Sequence, residues 1–182
     1  MDFETRTSLR RQIREIAEPL VEDVGCELIA VDLTGDRGGP ILRLSIDRAG
    51  GVGVGDCKKV SRALSLELDV EDPMPGAYRL EVSSPGIDRP VERDVDFERF
   101  VGFRARVRMD PEWGRRRYKG ELAGLEDGHV LLRATDGEHR LPRTRIDRVQ
   151  LDLTVDDFAR LGDPFADLHP DGAPAAPQGG SR

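Results

Sequence analysis

An α+β fold is predicted: an N-terminal α-β-β-α-β unit over residues 1–90, a small five-stranded β unit over residues 91–153, and an acidic tail rich in Pro, Ala and Gly over residues 154–182 that is expected to be disordered. Three observations predict it. Apolar side chains recur at helical spacing in two early segments. Alternation with period two marks three stretches before residue 84 and five short ones after residue 102. A motif punctuated by Pro and Gly at residues 83–90 divides the two patterns. Aromatic residues make up only 5% of the 182-residue chain and charged residues 35%, so each unit must rest on a small aliphatic core.

Leu9, Ile13, Ile16, Leu20 and Val24 draw one apolar stripe along a charged segment from about Thr7, a surface helix in which Pro19 is expected to produce a kink. Cys26–Thr34 is β-like and Asp36-Arg37-Gly38-Gly39-Pro40 is a turn. In Ile41–Asp47, Leu42, Leu44 and Ile46 then alternate with Arg43, Ser45 and Asp47, so the segment reads as a hairpin with one wet face. A Gly-rich loop over residues 49–55 leads to Asp56, the expected N-cap of a helix that carries Val60, Leu64 and Leu68 on one side. The Gly run lacks the Gly-Lys-Ser/Thr ending of a phosphate-binding loop and the Gly-x-Gly-x-x-Gly order after a strand, so nucleotide binding is not assigned to it. After the break at Asp72–Gly76, Tyr78, Leu80 and Val82 alternate with Arg79, Glu81 and Ser83 as a third strand. The two helices should cover the apolar face of this sheet and leave Arg43, Asp47, Arg79 and Glu81 on the solvated one.

The junction reads Ser83, Ser84, Pro85, Gly86, Ile87, Asp88, Arg89, Pro90. Pro85-Gly86 suits the centre of a type II turn, because Pro presets the first φ and Gly accepts the positive second one. Pro90 pushes Arg89 toward an extended conformation. Two hydroxyls, a carboxylate and a guanidinium held this way serve either as a rigid joint or as a surface that touches a partner.

Beyond the junction, Asp94–Phe100 reads as a short helical turn. Phe103, Ala105, Val107 and Met109 then alternate with Arg104, Arg106 and Arg108, and Tyr118–Leu125, Val130–Arg133 and Glu138–Leu141 follow, separated by turns at Glu126-Asp127-Gly128 and Asp136-Gly137. Pro142, with Ile146, Val149 and Leu151, fits a helical turn and a closing strand. Five short strands in so few residues predict a small barrel of the SH3 or Sm type.

Charge separates the units further. The net charge is −7, yet residues 103–151 carry 12 basic and 8 acidic side chains against 14 and 21 in residues 1–102. A local basic patch for an anionic partner is therefore expected on the second unit. Arg104, Arg106 and Arg108 form a row on one strand, and Trp113, Arg115, Arg116, Arg117, Tyr118 and Lys119 make a hairpin loop in which three arginines lie between two aromatics and a lysine follows, four cations in all. Guanidinium groups pair with phosphates and stack on bases, which makes these residues candidate RNA contacts. The competing reading is a solvated loop whose arginines cover Trp113 and Tyr118.

Other chemistry finds little support. Cys26 and Cys57 stand alone, and His129, His139 and His169 are scattered outside ligand spacing, so no metal or cofactor is expected. Asp32, Asp47, Asp88 and Glu92 are carboxylates without a spacing that selects a catalytic pair. Ser83 and Ser84 lie in no nucleophile elbow, so no enzyme is expected. The N-terminus has no apolar leader and no run is long enough to span a membrane, which points to a cytoplasmic protein.

The run Leu80–Pro90, the strand Leu42–Asp47 with its Gly-rich turn, Asp56-Cys-Lys-Lys-Val-Ser-Arg-Ala-Leu64, and the segments Tyr118–Leu122 and Ile146–Leu151 together resemble the bacterial ribosome maturation factor RimP family, over roughly residues 8–153. The resemblance implies a monomeric, non-enzymatic assembly factor that binds the immature small ribosomal subunit and assists its late maturation. It also implies a KH-like domain followed by an SH3-like barrel, and a small-subunit ribosomal protein near the decoding region as partner, with rRNA as a further contact. No Gly-x-x-Gly loop joins two helices in the usual KH manner, so the acidic first unit is expected to dock protein. A general RNA-binding adaptor with an Sm-like barrel is the alternative, and an unrecognised hydrolase is the third reading.

Overall fold

The first helix, Phe3–Glu22 (α1), begins earlier than its apolar stripe because Asp2 caps it, accepting from the Thr5 amide at 2.8 Å. Pro19 lies inside the helix one turn from its end. Leu9, Ile13, Ala17 and Val21 are its buried face. The computed structural model describes residues 1–86, 89–154 and 157, so Asp88 and nearly all of the expected tail lie outside the described residues.

Glu27–Asp36 (β1) and Gly39–Asp47 (β2) form the expected antiparallel hairpin, with a register shift between Leu28 and Ala30. The next helix, Val54–Glu71 (α2), starts from Gly53 and not from Asp56. Asp56 occupies the third helical position, where its carboxylate reaches back to accept from the Gly53 amide at 3.0 Å. An acid there satisfies an orphan donor at the helix start as well as an N-cap would. The strand Arg79–Ser83 (β3) lies parallel to β2, giving the sheet order β1-β2-β3. Val60, Leu64 and Leu68 of α2 join the buried residues of α1, β1 and β2 in one hydrophobic cluster.

The solvated face of this sheet is only partly what the alternation predicts. Arg43 pairs with Glu81 at 2.8 Å and Arg79 with Asp36 at 2.6 Å, all four at least partly exposed. Asp47 instead is 6% exposed, and Asp32 is 7% exposed on the neighbouring strand. Both carboxylates are covered by arginines, Asp47 by Arg89 of the junction and Asp32 by Arg148 from beyond it.

The second unit opens with Asp94–Arg99 (α3), followed by Arg104–Met109 (β4), Arg117–Glu126 (β5), His129–Ala134 (β6), Gly137–Pro142 (β7), a 3₁₀ turn at Arg143–Arg145 and Ile146–Leu151 (β8). The strands make one sheet in the order β7-β6-β5-β4-β8. That sheet is open where closure into a barrel is expected: β7 and β8 are its edges, and no pairing joins them among the described residues. Pairing of Glu126 with His129 leaves a two-residue loop of Asp127 and Gly128, both at positive φ, as a hairpin that follows the sheet twist requires. Phe97, Phe100, Leu122, Leu132 and Leu151 are among the fully buried side chains of a second hydrophobic cluster.

Candidate functional site

The junction runs inward. Gly86 has φ +59°, as a turn with Pro85 before it demands, while Ser83 and Ser84 are exposed at the end of β3. Arg89 is 4% exposed: its Nη1 donates to Asp47 Oδ2 at 2.8 Å, and its guanidinium lies 5.5 Å from the Phe100 ring centroid. Burial pulls its pKa below the ordinary guanidinium value, against the raising effect of Asp47. Arg89 thus ties the first sheet to the second core and presents no charge to solvent. The backbone continues along the outer edge of β8, where the Leu151 amide donates to Arg89 O at 2.8 Å, Pro90 bridges to Gln150, and the Val91 amide donates to Val149 O at 3.0 Å. This segment covers an edge that would otherwise expose unpaired backbone groups.

An ionic seam extends the joint. Arg6, Arg10 and Arg14, spaced four residues apart on α1, all point at residues from the junction onward or at the sheet edge beside it. Glu92 receives Arg10 on one oxygen and Arg14 on the other, the latter at 2.6 Å. Arg10 also donates to Val31 O at 2.7 Å and to Asp147 O at 2.9 Å. Asp147 holds Arg6 at 2.6 Å and Arg108 at 2.5 Å, and Arg148 reaches across to Asp32. Arg93 bridges Glu27 at 2.7 Å and Asp96 at 2.8 Å. Burial alone would lower its pKa, but the hydrogen bonds with Asp96 and Glu27 outweigh that and raise it. Of the four carboxylates weighed for catalysis from the sequence, Asp32, Asp47 and Glu92 therefore each serve an arginine in the seam.

The basic residues converge on the outer face of the second sheet. In β4 the burial alternates strictly, with Ala105, Val107 and Met109 inward and Arg104, Arg106 and Arg108 outward. Register sets Arg108 between Arg117 of β5 and Arg148 of β8, Arg106 between Lys119 and Gln150, and Arg104 beside Glu121, which in turn faces Arg133 of β6. These side chains line one open cleft of about 1000 Å³ together with Tyr118 and Arg115. Lys119 and Arg106 share Asp152, at 2.7 and 3.7 Å, and the hydrogen bond from Lys119 lowers the Asp152 pKa. Arg104, Arg116 and Arg117 form no ion pair among the described residues.

The loop arginines divide into two kinds. Arg115 lies 4.4 Å from the Tyr118 ring centroid and pairs with Asp136, while Trp113 packs on the second core and its indole N–H points at the Tyr118 hydroxyl 3.4 Å away. His139 meets Tyr118 edge-on at 4.8 Å and donates to Asp136 at 2.8 Å. Arg115 therefore covers an aromatic ring, whereas Arg116 and Arg117 extend into solvent. Among the described residues, no three His, Cys, Asp or Glu side chains gather where they could hold a metal ion, and no helix is long and apolar enough to cross a membrane.

The seam residues missed by the sequence reading include Arg6, Arg10, Arg14, Asp147 and Arg148. Arg6, Arg10 and Arg14 do leave a signal, a cationic i, i+4, i+8 row beside the apolar stripe of α1.

Residues 16–88, which include the end of α1, the whole first sheet and most of the junction, match the family model of the RimP N-terminal domain. That match supports the assignment of the chain to the RimP family. RimP proteins are ribosome maturation factors, and the matched stretch carries Asp32 and Asp47, the two seam carboxylates of the first sheet. Arg89, Arg148 and the whole basic face lie beyond the RimP match, in residues 89–154.

Proposed function

We propose that the chain binds the immature small ribosomal subunit and assists its late maturation as a monomeric, non-catalytic factor in the cytoplasm. The observation that carries this reading is the basic face of β4, β5 and β8, which aligns Arg104, Arg106, Arg108, Arg117, Lys119 and Arg148 over one open cleft. Arginines spaced by strand register on an open face suit the phosphates of folded rRNA. In this reading residues 1–90 are a KH-like domain whose acidic surface docks a small-subunit ribosomal protein near the decoding region, and residues 91–153 are an SH3-like domain that meets rRNA. The seam holds the two in one orientation, so that both surfaces engage a single particle.

Sedimentation with separated ribosomal particles tests the proposal. Comigration with free small subunits, and not with large subunits or joined ribosomes, is the expected result. Equal binding to every particle would move the reading to a general RNA adaptor, and binding to none would overturn it.

A further inference from the structure

We infer that Arg148 is a switch: a phosphate bound on the basic face draws its guanidinium away from Asp32 and loosens the seam between the two units. This rests on the proposed reading of that face as an rRNA-docking surface. Among the described residues, Arg148 alone of the face cations pairs with a carboxylate of the first sheet. Arg106, Arg108, Lys119 and Arg133 pair with Asp152, Asp147 and Glu121, all in the second unit. Arg148 also lines both the basic cleft and the groove between α1 and β8, so its side chain stands where the two meet.

The cross-strand row is what brings a phosphate to it. Arg117, Arg108 and Arg148 sit abreast on β5, β4 and β8, and like charges directly opposite one another repel. Asp147 and Asp32 neutralise two members of this row, and Arg117 pairs with neither. A phosphate oxygen bound there competes with Asp32 for the guanidinium through the same charge-assisted hydrogen bond. Asp32 is 7% exposed, and a carboxylate left there without its cation is costly until the seam opens and water reaches it. The coupling is reciprocal: whatever opens the seam releases Arg148 and strengthens anion binding by the same factor.

Binding of a short fluorescent oligouridylate to the full chain, followed by anisotropy, tests this in four proteins: wild type, Asp32→Asn, Arg148→Gln and the double variant. Asp32→Asn is expected to tighten binding at least about fivefold when Arg148 is present and to change it little in the Arg148→Gln background. An equal gain in both backgrounds would be a general charge effect and would overturn the switch while leaving the docking face standing. No binding by the wild type would overturn both. Should the variants fold poorly, amide exchange of wild type decides the matter. Faster exchange at Val31, whose N–H faces Glu92 across the seam, on adding the oligonucleotide supports the switch, and slower or unchanged exchange overturns it.

Discussion

Arg89 and Asp47 form an ion pair of 2.8 Å with side chains only 5% and 9% exposed, so the chain crosses from one unit to the other through a buried charge pair. A motif that could have been a recognition surface is, at this residue, a fastening between the end of β2 and the Phe100 side of the second core.

Arg89→Ala is therefore expected to cost about 3–5 kcal/mol, because it strands the Asp47 carboxylate in the joint. Urea unfolding measures this. Adding Asp47→Asn should recover part of the loss, since the uncompensated charge is the costly element.

Glu92→Gln removes the anion that Arg10 and Arg14 share. A loss of about 1.5–3 kcal/mol is expected, the range for hydrogen bonds to charged groups. Small-angle X-ray scattering should show an increased radius of gyration, and an unchanged radius would mean that Glu92 does not hold the units together.

Gly120→Ala tests the close approach of β5 to β6. A Cβ at Gly120 would lie 2.5 Å from the Arg133 carbonyl oxygen and 2.9 Å from its carbon, both backbone atoms that cannot swing aside. Thermal unfolding should show destabilisation of at least about 1–3 kcal/mol, as for other overpacked sites, whereas Gly114→Ala, with open space around it, should be near neutral.

Asp136 supplies a pH signature. The hydrogen bond from His139 and then that from Arg115 hold its carboxyl down at about 2, below the ordinary 3.8. The folded-state value is the lower one, so this contribution to stability is present above the unfolded pKa and disappears as pH falls from about 4 through about 2. Carboxyl NMR titration should find the midpoint near 2 in wild type and shifted upward in Arg115→Ala. An unshifted midpoint would show that Arg115 does not hold this carboxylate.

Much of the architecture is legible because period-two alternation is a local signal. Arg104, Arg106 and Arg108 can be placed on one face from the sequence alone, and the structure puts them there. Asp56 stands three positions from the cap that its residue type suggests, because an acid satisfies the first turn of a helix from either end of a capping box. Asp47 reads as solvated because alternation reports which face a side chain takes and not what later covers that face. The seam is hidden for a related reason. Arg10 and Glu92 are 82 residues apart and Arg148 and Asp32 are 116 apart, and pairs so distant leave no periodic trace. Five strands suggest closure into a barrel, but strand count does not fix whether the edges meet, and here β8 is covered by the junction while β7 remains an edge.

If the basic face docks the small subunit, Arg104→Ala/Arg117→Ala must weaken that docking. These two arginines form no ion pair among the described residues, so their removal should spare the fold. Affinity for free small subunits, measured across a salt series, should fall at least about tenfold, with a log–log salt slope shallower by about 0.7–0.9 for each phosphate that the variant no longer neutralises. An unchanged affinity and slope in a folded variant would show that the small subunit does not dock on this face.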